Sequence, residues 1–371
     1  MTTSRMRARS QVVVDCDAIS ANTVAVKEFV KPARMMAVIK AQAYGHGAVE
    51  TARAVIAGGA DGLCVATPAE AAEVAKHVGP AIRIVVLGST ALDSWDDSVS
   101  KNIEPVAHAE REVRALARTT IRFHIELNTG LNRWGLALMP DDIPDNAIGV
   151  MTHFAYGHLD AQRTRTELAR FLALIDGHGD HLLRHAASSG ALLTDSSTHL
   201  DAVRCGQLLL GMTPPVAPVP SPLPLTPALR WTSQVAHTHR IRRGERVGYG
   251  GRFVAAEDVW IGVVPVGYAD GLSTKLTGSS VLVAGRPAKI IGLVSMDSFS
   301  VVLSEPVPAG ADVVIVGGEL TLESHARHGG VGNVELAVGI AQARVRGRLR
   351  HLNSFASEPG VDRVRQLAAK R

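Results

Sequence analysis

Short apolar runs and amphipathic stretches alternate along the first two thirds of this chain. The runs are Met35 to Ile39, Gly62 to Ala66, Ile82 to Leu87, Ile103 to Ala107 (a weak one), Ile121 to Glu126, Ile148 to His153, His185 to Ala187 and Ala202 to Arg204. Helical patterns lie between them, from Asp17 to Lys27, from Pro68 to Lys76 and from about Arg163 to His178. Eight parallel strands alternating with helices over roughly 200 residues predict a closed (β/α)8 TIM barrel. A doubly wound sheet is the rival, but it would want a glycine-rich phosphate fingerprint after its first strand, and none is present.

The run Pro214-Pro215-Val216-Ala217-Pro218-Val219-Pro220-Ser221-Pro222-Leu223-Pro224 reads as a linker. Beyond it the pattern changes to short strands rich in Val and Ile, broken by Gly and Asp turns. These are Gln234 to Ile241, Trp260 to Val266, Ser280 to Val283, Ala288 to Val294, Phe299 to Leu303 and Asp312 to Val316. That predicts a C-terminal all-β domain, with a terminal helix from about Asn333 to Leu349. The expected division is a segment 1–12, a barrel over 13–227 and a β domain over 228–371. The first strand, Gln11 to Asp15, precedes the barrel and is a candidate to pair with the β domain.

Composition sets the class. The chain has 371 residues, 46% hydrophobic and 20% charged, an ordinary globular balance. The net charge is +4, with much of the excess in Arg344, Arg346, Arg348, Arg350, Arg363 and Arg365. No interleaved aromatics or binding module accompany them, so a solvated basic face is expected and no nucleic-acid partner. The three cysteines, Cys16, Cys64 and Cys205, have no metal spacing; so sparse and odd a count fits a reducing compartment. No signal peptide or membrane-length apolar run is seen, and the expectation is a cytoplasmic protein with no metal.

The chemistry is expected at the C-terminal ends of the barrel strands. The run Met35-Met36-Ala37-Val38-Ile39 ends on Lys40 and is followed by Tyr44-Gly45-His46-Gly47, a tight turn. A lysine at the end of a buried strand is costly to hold as a cation, so its pKa should fall. A neutral amine there is a nucleophile suited to a carbonyl cofactor. A lysine that simply runs out into solvent is the plainer alternative. Other strand ends carry Glu126 and Arg133, His153, His185 with Ser188-Ser189-Gly190, and Arg204 with Gly206-Gln207. Each has a bland reading alone: a core histidine, a surface arginine, a plain loop. Together they place a lysine, two arginines and a phosphate cradle around one mouth. Ser189 and the Gly206-Gln207 turn could supply the hydroxyl and backbone N–H groups that a phosphate monoester needs. His153 could lie against an aromatic ring.

These motifs resemble the bacterial alanine racemases, from about Val12 to about Arg348. The matching runs are Val38-Ile39-Lys40-Ala41-Gln42-Ala43-Tyr44-Gly45-His46-Gly47, Asn128-Thr129-Gly130-Leu131-Asn132-Arg133-Trp134-Gly135, Thr152-His153-Phe154-Ala155, His185-Ala186-Ala187-Ser188-Ser189, Arg204-Cys205-Gly206, Val247-Gly248-Tyr249-Gly250, Gly267-Tyr268-Ala269-Asp270-Gly271 and Val294-Ser295-Met296-Asp297. The resemblance implies pyridoxal 5'-phosphate as cofactor, an amino acid as substrate, and a homodimer with shared active sites. It implies that Lys40 holds the cofactor as an aldimine and is one of two bases, with Tyr249 of a partner subunit the other. Tyr44, Ser189, Gly206 and Gln207 would hold the phosphate, and Arg204 would face the pyridine nitrogen. Arg133 would meet the phenolic oxygen and the substrate carboxylate. Tyr268 and Met296 would line the substrate entrance, with Asp297, Glu126 and His185 in support. Two bases on opposite faces suit a racemisation. A free tyrosine titrates near about 10, so a tyrosine base needs positive charge nearby, and Arg204 and His185 are candidates.

The implied activity is interconversion of L- and D-alanine, supplying D-alanine for peptidoglycan. Two alternatives stay open: a racemase or epimerase of serine or a larger amino acid, and a non-catalytic cofactor carrier. The chain departs from the family at several places. Glu126 stands where many members carry a carbamylated lysine, and the expectation is that it pairs with Arg133. Ser188 replaces an asparagine, Leu293 an arginine and Gly248 a serine. Ala343 stands where a tyrosine is usual, which would leave more room in the pocket.

Overall fold

The computed structural model describes residues 9–88, 95, 101–179, 181–214, 223–342 and 348–352. Most of the proline-rich run (215–222), Ala343 and the arginines at 344, 346, 363 and 365 lie outside the described residues.

The described chain divides into two compact units. One holds residues 17–43 and 47–226; the other holds the N-terminal stretch through Cys16, Tyr44–His46 and Pro227–Leu352. The first strand, β1 (Ser10–Asp15), belongs to the second unit. The first unit is built on β2 (Arg34–Val38), β3 (Gly62–Val65), β4 (Arg83–Val86), β5 (Ile103–Ala107), β6 (Phe123–Glu126), β7 (Ala147–Met151), β8 (Leu183–His185) and β9 (Ala202–Cys205). Each pairs in parallel with the next, and β9 returns to β2 through Arg34 opposite Ala202, closing a barrel. The helices between them have clear starts. Thr67 accepts from the Glu70 N–H while Glu70 reaches back to the Thr67 N–H, a capping box with Pro68 in the first turn. Asp160 caps the helix Ala161–Ile175 more simply, its carboxylate accepting from the Arg163 N–H at 3.0 Å.

Barrel strands buried on both faces should read as unbroken apolar runs. Here they do not. Glu104, His124 and His185 are completely buried and Arg204 nearly so. Each charged or imidazole group needs a partner in that setting, and the site below is built from those partners.

The second unit is a nine-stranded sheet with β10 (Leu229–Gln234), β11 (His237–Ile241), β14 (Val259–Val264), β15 (Ser280–Val283), β16 (Arg286–Ile291), β17 (Phe299–Leu303), β18 (Asp312–Val316) and β19 (Arg348–Leu352). A small ribbon of β12 (Arg246–Val247) and β13 (Phe253–Val254) stands apart from it. The sheet order is β11-β14-β17-β16-β15-β18-β10-β1-β19. β1 is antiparallel to β10 and parallel to β19, and both ladders run through Val13 and Val14, past the expected boundary at residue 12. The terminal helix is shorter than expected, Asn333–Gln342. Arg348–Leu352, placed partly in that helix from sequence, is instead an edge strand, because β1 offers it a ladder. A second helix, Leu322–Gly329, was not anticipated; Thr321 caps it.

Candidate active site

Lys40 follows β2 and opens an unusual turn. Ala41, Gln42, Ala43 and Tyr44 all have φ near +50°, a left-handed run without a single glycine. Such a conformation costs about 1–2 kcal/mol for each residue that carries a Cβ. It persists only where neighbours over-determine it. They do so here. The Ala43 N–H donates to Ile39 O at 2.7 Å and the Gly47 N–H to Gln42 O at 2.7 Å. The Ala41 N–H donates to Glu70 Oε1 at 2.7 Å, while the other Glu70 oxygen accepts from Ala66 at 2.8 Å. One carboxylate thus ties a helix cap to the residue next to Lys40. Burial lowers the Lys40 amine below its ordinary value; Arg133 and Arg204 push the same way, and Glu70 opposes them.

Arg204, on β9, is held by its two terminal nitrogens. One donates to His185 Nδ1 and to His185 O, both at 2.9 Å. The other donates to Thr152 O at 2.8 Å, Ala186 O at 3.0 Å and His153 Nδ1 at 3.1 Å. A guanidinium has five N–H groups. The four terminal ones are committed, so Nε–H alone has no partner among the described residues. His153 is pushed down to about 3, by burial and then by Arg204, Arg133 and Lys40. It is a neutral ring among cations. Lys40, Arg133, His153 and Arg204 therefore share one electrostatic neighbourhood at the strand ends.

Beside them, the Gly206 N–H donates to Ser189 Oγ at 3.1 Å, joining the two turns expected to hold a phosphate. Gln207 Oε1 is buried without a hydrogen-bond partner. An amide oxygen only accepts, so it is the Ser189 hydroxyl and the backbone N–H groups of these turns, not this atom, that suit a phosphate.

Glu126 does not pair with Arg133. Its carboxylate lies 2.6 Å from His108 Nδ1, with both side chains buried. The contact is close but poorly aligned, and neither atom makes a hydrogen bond of good geometry. Arg133 instead lies over the Trp134 ring, 4.8 Å from its centroid, and the His108 ring packs against the other partner in that contact, Trp134, at 4.9 Å. The reason is local: Glu126 ends a buried strand, and His108 follows the neighbouring strand β5.

The remaining residues singled out from sequence lie in the sheet unit. Tyr44 belongs there by its packing. Tyr249, Tyr268 and Met296 are exposed, Tyr249 by 75%. The Gly-Tyr-Ala-Asp-Gly and Ser-Met-Asp runs are joined there. The Tyr268 N–H donates to Ser295 O and the Ala269 N–H to Met296 O, both at 3.0 Å. Gly267 has no room for a Cβ, which would stand 2.2 Å from Met296 O. Asp270 braces the turn through the Gly267 N–H and through both oxygens on Arg9. Arg9, Glu70, His108, Glu104 and His124 escaped the sequence reading. For Glu104 and His124 a signal existed: a charge and an imidazole inside otherwise apolar strands.

Comparison with known proteins agrees with this arrangement. The model of the alanine racemase N-terminal domain matches residues 14–214, and that of the C-terminal domain matches residues 228–348. An alanine racemase of Lactiplantibacillus plantarum is 33% identical over 361 residues, covering 90% of this chain and 95% of its own. Alanine racemase 1 of Bacillus subtilis is 34% identical over 322 residues, 82% of each chain. The crystal structure of alanine racemase from E. faecalis superposes with a TM-score of 0.86 at 29% identity, covering 95% of this chain and all of that one. The enzyme from D-cycloserine-producing Streptomyces lavendulae gives 0.82 at 30% identity, with 94% and 98% covered. Both domain models match in sequence order, the barrel strands, the lysine-bearing turn and the sheet strands β10–β18 fall inside the matched ranges, and the relatives cover most of the chain, so this chain belongs to the alanine racemase family.

Proposed function

We propose that this protein interconverts L- and D-alanine with pyridoxal 5'-phosphate, and so supplies D-alanine for peptidoglycan in the cytoplasm. The observation that carries the reading is the pairing of a lysine of lowered pKa with a buried arginine that has one N–H to spare. The residues fit the cofactor. Lys40 would hold it, and Arg204 would offer Nε–H to the ring nitrogen. Ser189, Gly206, Gln207 and Tyr44 would hold the phosphate, His153 would flank the ring, and Arg133 would hold the substrate carboxylate. When bound, the cofactor supplies the electron sink that makes the α-proton of an amino acid removable.

The chain's own groups then move the proton. Lys40 Nζ serves one face of Cα, and Tyr249 Oη serves the other. An arginine at the ring nitrogen does not give up its proton at neutral pH. Arg204 would therefore offer the ring nitrogen a hydrogen bond without a proton to transfer, which would temper the electron sink and favour proton return over transamination.

Tyr249 stands in solvent within its own chain. The reading therefore includes a head-to-tail homodimer in which each Tyr249 completes the partner's site. The test is α-proton exchange in heavy water with L-alanine and a panel of other L-amino acids in the presence of pyridoxal phosphate, followed by NMR and chiral analysis. Exchange with inversion is expected. Bound cofactor without exchange of any amino acid would overturn racemisation in favour of a carrier. The dimer has its own test, the mixing of inactive Lys40→Ala and Tyr249→Phe proteins. Head-to-tail sharing restores one intact site per mixed dimer. No recovery of activity after subunit exchange would sink the shared site.

A further inference from the structure

The buried polar groups of the barrel form one continuous line. Arg204 donates to His185 Nδ1 at 2.9 Å. His185 Nε2 lies 2.9 Å from His124 Nδ1, and His124 Nε2 lies 3.2 Å from Glu104 Oε2. Glu104 is held in turn by Arg122 at 2.8 Å and Arg83 at 3.3 Å. Arg83 opens β4 and Arg122 immediately precedes β6, so they stand at the N-terminal end of the barrel. Arg204 and His185 stand near the other end. The line runs through the barrel from mouth to base.

Its direction follows from its two ends. A guanidinium only donates, and an ionised carboxylate only accepts. His185 Nδ1 must accept from Arg204, so its proton is on Nε2. That proton goes to His124 Nδ1, so His124 also carries its proton on Nε2 and gives it to Glu104. Both rings are neutral and both tautomers are determined. The charges agree. Burial raises Glu104, but His124, Arg83 and Arg122 outweigh burial and hold it below the usual carboxylate range. Burial pushes His124 below its ordinary value despite Glu104. Burial and then Arg204, with His124 and Arg83 adding to it, push His185 well below its own. The barrel also leaves space for the line. A Cβ on Gly149 would stand 2.1 Å from His124 Nδ1.

We propose that Glu104 and His124 are positioning residues for Arg204. Through His185 they fix how the guanidinium is turned, and so which N–H is left for the cofactor ring. The functional part rests on the reading of Arg204 given above; the hydrogen-bond direction does not.

The experiment is 1H–15N NMR of the histidine side chains in the full-length protein at pH 7, without substrate, before and after loading with pyridoxal phosphate. His124 and His185 are expected as neutral Nε2–H tautomers in both. An Nδ1–H tautomer or a doubly protonated ring at either position would overturn the line. Glu104→Gln keeps an acceptor for His124 and removes the charge. It should shift the His185 Nε2–H resonance two links away and the absorption band of the bound cofactor. It should also lower kcat about tenfold with KM within about twofold. An unchanged His185 resonance and an unchanged band would reject the positioning role. Arg122→Gln, at the half-exposed base of the barrel, is the milder variant should Glu104→Gln not fold; the same shifts are expected, smaller. Because the tautomers are read without substrate, a failure to racemise alanine leaves this result standing, and the reverse also holds.

Discussion

The barrel unit and the sheet unit hold their functional side chains in opposite ways. In the barrel, Arg204, His185 and His124 are buried and bonded to one another before any ligand arrives. In the sheet unit, Tyr249, Tyr268 and Met296 stand on the surface, carried on braced turns. In the proposed reading, the barrel holds a group that must not move or lose its charge, and burial with every terminal N–H bonded does that. In the same reading, the sheet presents groups that would work only once a partner subunit covers them. Preorganisation in the first is a matter of side chains; in the second it is a matter of backbone.

The largest test of this contrast is Lys40→Ala. In the proposed reading it removes both the cofactor anchor and a base, and α-proton exchange should fall by about 10⁴-fold or more. The cofactor absorbance that reports attachment to Lys40 should vanish with it. Tyr249→Phe should cost about 10²–10⁴-fold while the cofactor stays bound. Full activity in that variant would mean that the exposed half of the contrast is idle.

Arg204→Gln probes the buried half. Removing a charge that holds five hydrogen bonds should cost about 3 kcal/mol or more of stability, seen as a lowered denaturation midpoint in the cofactor-free protein. A midpoint unchanged from the parent would show that the interior repacks freely.

A pH series sharpens the same point. His124, His153 and His185 all lie below the ordinary 6.5 when folded. As pH falls, the unfolded chain takes up these protons first. Their stability is therefore fully present above about 6.5 and is lost below it. For His153 the loss continues until about 3. Each such histidine contributes about 1.4 kcal/mol per pH unit within its window. Denaturant titrations at pH 7 and pH 5.5 would measure the slope, which is expected to be steep. A flat stability across that range would contradict neutral buried rings.

The smallest effect is expected at Glu126. Its carboxylate meets His108 rather than Arg133, so Glu126→Gln should lower kcat/KM by less than about tenfold. A loss of hundredfold would restore a direct link between Glu126 and the active-site arginine.

Much of this was legible in the chain itself. Strand and helix periodicity outlined the barrel, because a closed parallel sheet needs repeated apolar runs. The lysine at the end of Met35 to Ile39 was only a candidate by itself; the motifs at the other strand ends and their family resemblance singled it out. Arg348–Leu352 was misread because an arginine-rich stretch has no strand signature of its own; only the edge offered by β1 makes it one. The left-handed run after Lys40 was also hidden. Alanines and a glutamine do not announce positive φ, and hydrogen bonds from elsewhere hold it.

The sequence by itself determined the two architectures, the family and the residue types available for chemistry, since these depend on local periodicity and on motif order. Which group meets which was decided by the tertiary structure alone. His124 and His185 are 61 residues apart, and His124 and Glu104 are 20 apart. Nothing local joins them. The closed barrel does, by bringing polar side chains from separate strands into a buried interior, where each must find a partner.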